Sequence, residues 1–251
     1  AEAMEVVDVD GIHEARSFVR AQLAAGAEGI LRSRYRELGA AGPYANSASE
    51  IARRSLRNAL LSYLVNTEQG FSLAEAQLAG SDNMTDTLAA LGSLAWYGAP
   101  SAGAAMADFE RRWRDDPLVL DKWFAIQAAA PGPATVGQVK ALMDHPAFSM
   151  RNPNKVRALL GTLAAANPTA FHARDGSGYR LLADQVLILD ELNPQVAARL
   201  AGAFNRWTRY DEKRRSLMRR EIARIAGAAS LSPNVAEIVG NALQMPEPEE
   251  R

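Results

Sequence analysis

Residues 171–179 read FHARDGSGY and place a histidine, an aspartate and a serine between two glycines within nine positions. Such side chains are the parts of a hydrolase, and a Gly-Ser-Gly run suits a phosphate-binding loop. The spacing supports neither chemistry. A nucleophile elbow needs Gly-x-Ser-x-Gly between a strand and a helix, and a P-loop runs on into Gly-Lys-Ser/Thr. The stretch instead predicts a helix-to-helix connection. Asp175 and Ser177 would satisfy free backbone donors, Gly176 or Gly178 would supply a positive φ, and Phe171 and Tyr179 would anchor the ends.

The three histidines, His13, His145 and His172, lie far apart, and no His-Glu-x-x-His run occurs. A metal site needs ligands recurring on one helical face. With no cysteine in the chain, thiolate zinc and disulfides are excluded. Neither a catalytic residue nor a metal ligand is therefore expected. A second candidate is Arg206 to Arg224, where eight Arg or Lys stand against three Asp or Glu, with Trp207 and Tyr210 interleaved. This run could be a nucleic-acid face, or a solvated or partner-facing helix laced with i, i+4 ion pairs. A third is a pair of arginines. Arg157 lies four residues after Pro153 and Arg199 five after Pro194. On a concave surface they could grip a carboxylate, such as a peptide C-terminus, through two parallel hydrogen bonds; on a plain surface each would pair with a neighbouring turn.

These candidates must be carried by helices. Phe18, Val19, Leu23, Ile30, Leu31, Tyr35 and Leu38 recur at helical spacing and predict one long first helix, ended by 39–43. Ser47 or Ser49 would cap the next, with Ile51, Leu56, Leu60 and Leu64 as its apolar stripe. Further helices are expected over 71–79, 84–97, 103–114, 118–129, 134–143, 153–165, 179–191, 194–207, 211–226 and 233–243. Asn152-Pro153, Asn167-Pro168 and Asn193-Pro194 pair an N-cap with a first-turn proline, as do Asp116-Pro117 and Ser232-Pro233. No run alternates with period two. The fold expected is all-α, an α-solenoid or superhelix of stacked antiparallel helix pairs of the armadillo or HEAT kind, with no significant sheet. It would form a single helical-repeat domain over 1–245, with a frayed acidic tail at 246–251.

The 251 residues carry a net charge of −1, whereas a generic polyanion binder has a clear basic excess. Leu88 to Ala107 is free of charge but broken by glycine, proline and serine. It reads as two soluble helices parted at Gly98-Ala99-Pro100 and not as a membrane span. No basic-then-apolar leader opens the sequence, and the cytoplasm is the expected compartment.

Several long strings carry a family resemblance: DNMTDTLAAL (82–91), LVLDKWFAIQ (118–127), FSMRNPNKVRALLG (148–161), NPTAFHARDGSGY (167–179), NPQVAARL (193–200) and RYDEKR (209–214). From about Val6 to Leu243 the sequence resembles the C-terminal helical domain of the bacterial aminopeptidase N family, zinc-dependent aminopeptidases of the gluzincin type. The resemblance implies a larger parent enzyme that removes N-terminal residues from peptides. Its zinc, its His-Glu-x-x-His motif and its Gly-x-Met-Glu-Asn motif would lie outside this chain. This domain would cap the active-site chamber and line downstream subsites. Arg157 and Arg199 would point into that chamber toward peptide carbonyls or the terminal carboxylate, and Gln195 would approach the first side chain. The partners implied are the catalytic and β domains of the same polypeptide and peptide substrates, with no nucleic acid and no membrane. The chain alone, binding no zinc, is expected to be inactive. The rival expectation is a free-standing helical-repeat module that binds protein or nucleic acid through residues 206–224.

Overall fold

The computed structural model describes residues 2–39, 42 and 44–246. Ala40, Ala41 and Pro43 of the first expected helix stop, and 247–251 of the expected tail, fall outside that range. Among the described residues there is no strand; the elements are helices joined by short turns. They form two compact units. One comprises 1–12 with 116–251, the other 13–115.

The unit over 13–115 holds most of α1 (Val9–Gly26), then α2 (Glu28–Glu37), α3 (Ala48–Leu64), α4 (Gly70–Gly80), α5 (Met84–Trp96) and α6 (Ala102–Trp113). The single first helix expected from periodicity is in fact two, parted at Ala27, whose φ of −117° and ψ of 12° leave the helical basin. Ser47, not Ser49, caps α3 by accepting the Glu50 N–H at 3.3 Å. Tyr35, Leu61, Leu64, Ala74, Ala90 and Leu94 form the heart of the core. Two expected stripes are misplaced: Phe18, Val19, Leu23, Ile51 and Leu56 are exposed, while Ala24 and Arg54 are buried. The DNMTD string works inside this unit. Asn83 caps α5 by accepting the Asp86 N–H at 3.0 Å, and Asp86 accepts from Asn58 at 2.8 Å. Gln77 donates to Asn58 at 2.8 Å and accepts from the Tyr35 hydroxyl at 2.8 Å, so this buried polar chain is satisfied. The uncharged 88–107 stretch turns at Gly98, whose φ of 64° suits a residue without Cβ. No helix among the described residues is long and apolar enough to cross a membrane.

The unit over 1–12 and 116–251 contains α7 (Pro117–Ala129), α8 (Thr135–Leu142), α9 (Pro153–Val156), a π turn (Arg157–Gly161), α10 (Thr162–Ala166), α11 (Pro168–Phe171), α12 (Ser177–Leu192), α13 (Pro194–Ala201), α14 (Glu212–Ala226) and α15 (Pro233–Leu243). All five X-Pro starts are helix starts. Asn152, Asn167, Asn193, Asp116 and Ser232 each accept a first-turn N–H, with proline following. Asn167 also donates to the carbonyls of Ala128 and Ala130, both at 2.9 Å, so it stitches the end of α7 to the start of α11. The helix expected over 194–207 stops at Ala201, and two 3-10 turns, Gly202–Phe204 and Trp207–Arg209, follow it. They bury Phe204 and Trp207, and the indole donates to the Ala242 carbonyl at 2.8 Å.

Candidate peptide-binding site

The helix expected over 153–165 is continuous but changes pitch in the middle. The Thr162 N–H reaches back five residues to the Arg157 carbonyl, the bond of a π turn. Such a one-residue bulge recurs at functional sites. Two neighbours in the same motif have opposite fates. Lys155 is buried, with its ammonium 2.6 Å from the Pro117 carbonyl and 2.8 Å from Asp121. It also lies over the Phe124 ring at 5.6 Å. Lys155 is thus a structural pin that the sequence did not single out. Arg157 is exposed, and among the described residues its guanidinium bonds only its own turn, through Asn154 and the Pro153 carbonyl.

Gln195 and Arg199 lie four residues apart, so they share a face of α13. Both are exposed, while Ala197, Leu200 and Ala201 fix the opposite face. Among the described residues no carboxylate pairs with Arg157 or Arg199. The structure brings Gln195 and Arg199 onto one helix face and places Arg157 on a separate element. As a set they offer donors to carbonyl and carboxylate oxygens.

The FHARDGSGY loop is built for structure. Gly176 takes the left-handed φ of 71°. Gly178 is required for a different reason, since a Cβ there would stand 2.3 Å from the Phe171 carbonyl oxygen. Asp175 accepts the Ser177 N–H at 2.9 Å and also bonds the Ser177 hydroxyl, and these bonds hold its carboxyl below the usual range. His172 bonds the Tyr179 hydroxyl at 2.8 Å instead of the serine. The ring is packed edge-on to Phe171 and lies 4.1 Å from Tyr210, centroid to centroid. Burial, helped by the nearby Arg214 charge, pushes the His172 pKa down to about 3. Burial likewise pushes the Tyr179 phenol up. A neutral histidine bonded to tyrosine and a serine bonded to aspartate make no nucleophile–base pair.

The basic segment is largely spent inside the chain. Arg214, itself buried, donates to the His172 carbonyl at 2.7 Å, to Asp211 at 2.7 Å and to both Asp10 oxygens at 3.0 and 3.2 Å. Burial favours a neutral Asp10, but hydrogen bonds from Arg214 and Arg174 outweigh it and hold the carboxyl low. Arg206 pairs with Glu2, Arg209 donates to the Met4 carbonyl, and Arg220 and Arg224 pair with Glu221. At least five of the eight cations therefore bind this protein's own groups.

Sequence reasoning missed a polar cleft of about 390 Å³ in the 13–115 unit, lined by Arg53, Arg54, Arg57, Asp82 and Asp86 among others. Its charges are mutually matched, with Arg53 and Arg54 on Glu50 and Arg57 near Asp86. Among the described residues no three His, Asp or Glu side chains converge to hold a metal. His172 bonds Tyr179, and His145 Nδ1 accepts the Ala147 N–H at 3.1 Å.

Comparison with known proteins gives this arrangement a context. Residues 1–244 match the model of a family described as domain of unknown function (DUF3458_C) ARM repeats. The chain is 40% identical to aminopeptidase N of Haemophilus influenzae, over 97% of its own length and 28% of that relative's. Against aminopeptidase N of Escherichia coli it is 37% identical, with the same two coverages. The match falls in the C-terminal region of these relatives. The solved structure of Legionella pneumophila aminopeptidase A in complex with aspartic acid superposes with a TM-score of 0.88 at 31% identity, covering 96% of this chain and 29% of that one. The chain thus spans less than a third of the length of each of these proteins.

Proposed function

The chain belongs to the DUF3458_C ARM-repeat family, the C-terminal helical domain of bacterial aminopeptidase N, and from that premise we propose that it serves a zinc-dependent aminopeptidase as the helical lid of its active-site chamber. The parent enzyme removes N-terminal residues from peptides. This domain positions the peptide downstream of the scissile bond and keeps water out, while zinc and the general base lie on the rest of the polypeptide. Arg157, Gln195 and Arg199 hold peptide carbonyls or the terminal carboxylate. The cysteine-free composition suits a reducing, cytoplasmic compartment.

One observation carries the assignment of residues. Arg214 and its basic neighbours are engaged internally, whereas Arg199 stands open beside Gln195 on a face whose back is packed. An exposed guanidinium on a packed helix, with no carboxylate partner among the described residues, is available to an external one. Arg199→Ala in the complete enzyme should raise KM for tri- and tetrapeptides roughly 10-fold, about 1.4 kcal/mol of lost binding, and change KM for an aminoacyl-anilide little. An equal rise for both substrates would assign Arg199 to structure. The 251-residue chain freed of full-length enzyme should release no anilide with zinc present.

A further inference from the structure

Helix α1 is amphipathic in the wrong direction for a finished surface. On a wheel of roughly 100° per residue, Ala15, Phe18, Val19, Gln22, Leu23 and Gly26 fall within one arc of about 140°. All six are exposed, with Phe18 at 65% and Val19 and Leu23 each at 52%. The opposite face, turned into the 13–115 unit, is small and polar. Ala24 is fully buried there, and Arg20 clamps the helix by donating to the Tyr97 hydroxyl at 3.1 Å, the Ser62 carbonyl at 2.8 Å and the Ser62 hydroxyl at 2.9 Å. Its guanidinium also lies over the Tyr63 ring at 4.6 Å. A surface helix normally directs its apolar stripe, of at least about 100°, at the core. Here a polar clamp fixes the helix with that stripe facing out.

We infer that the α1 stripe is a docking face for an amphipathic helical repeat of the same polypeptide, drawn from the region outside the segment matched here. This rests on the reading of the chain as one domain of a larger aminopeptidase. Two facts select that occupant. ARM-type units bury their apolar faces against the next repeat, and a terminal repeat needs a polar outer face. Helix α15 shows an outer face without large apolar side chains: Val235, Val239 and Ala242 are inside, and Ala236, Glu237 and Asn241 are outside. The α1 stripe does not. Most of the length of the relatives also lies beyond the matched region, so the polypeptide to cover it is at hand.

The absence of cysteine from this chain permits a direct test. Val19→Cys, and separately Leu23→Cys as a second probe, is placed in the complete polypeptide and in the 251-residue chain, with folding checked by circular dichroism. Maleimide labelling of that peptide is followed by mass spectrometry and normalised to the rate in urea. The expected result is labelling near the unfolded rate in the 251-residue chain and roughly 100-fold slower labelling in the complete polypeptide. Equal rates in both would overturn the inference. Protection in the 251-residue chain that grows with its concentration would assign the face to a second copy and also overturn it. A gene product no longer than this chain would defeat the underlying reading instead, whatever the labelling.

Discussion

Replacing His172 by glutamine should flatten the acid limb of the stability curve. The imidazole is 5% exposed, bonds Tyr179 and is faced by Arg214, Asp211 and Tyr210. Its pKa is about 3 in the fold against 6.5 for a free histidine. Between those values the unfolded chain carries a proton at this residue and the folded chain does not, so stability rises with pH through the interval. The contribution is fully present above pH 6.5 and is lost as pH falls, at roughly 1.4 kcal/mol per pH unit. By pH 4.5 the loss is roughly 2.5 kcal/mol, a large share of a typical 5–15 kcal/mol. The depressed carboxyls of Asp10 and Asp211 act in a different window. Their contributions are present above 3.8 and lost only below it. Urea unfolding followed by far-UV circular dichroism from pH 7 to 4.5 isolates the histidine. Glutamine at this position loses ring contacts, about 1–2 kcal/mol at pH 7, but leaves no proton to take up. The gap between wild type and H172Q should therefore close, and then invert, as pH falls. Parallel profiles down to pH 4.5 would refute the argument that this histidine is held neutral.

Gly178→Ala should cost at least about 2 kcal/mol, because its Cβ would meet a backbone oxygen that cannot move away cheaply. Ser177→Ala should stay within about 0.5 kcal/mol, since its hydroxyl serves only a local turn; thermal melts of the pair would test the structural reading of the loop. Asp10→Ala leaves buried Arg214 with the Asp211 carboxylate and the His172 carbonyl. It should cost about 1–2 kcal/mol, discounted for the partial exposure of Asp10, and hydrogen exchange at the Val7 amide, bonded to the Arg209 carbonyl at 2.7 Å, should accelerate.

Helix starts were legible because their causes are local. An asparagine, aspartate or serine followed by proline caps the helix within three residues, and all five such starts formed. The FHARDGSGY loop was legible for the same reason, except that Gly178 is demanded by a neighbouring carbonyl and not by its own φ. What failed depended on partners distant in sequence. Periodicity identified the apolar face of α1, but no local rule says whether a face turns inward or waits for a partner. The π turn at Arg157 and the burial of Lys155 are set by packing on α7, which no spacing in NPNKVR reveals. The basic run could not be told from a nucleic-acid face until Glu2, Met4 and Asp10 were seen to return to it.

That return has a consequence for synthesis. Residues 13–115 form one unit from contiguous chain, while the other joins 1–12 to 116–251. Asp10 and Arg214 are 204 positions apart. On a ribosome delivering roughly 5–20 residues per second, residues 1–12 are made before 13–115 and wait about ten seconds or more for α14, their partner element. The contiguous unit can close meanwhile, and the opening segment is among the last pieces to settle.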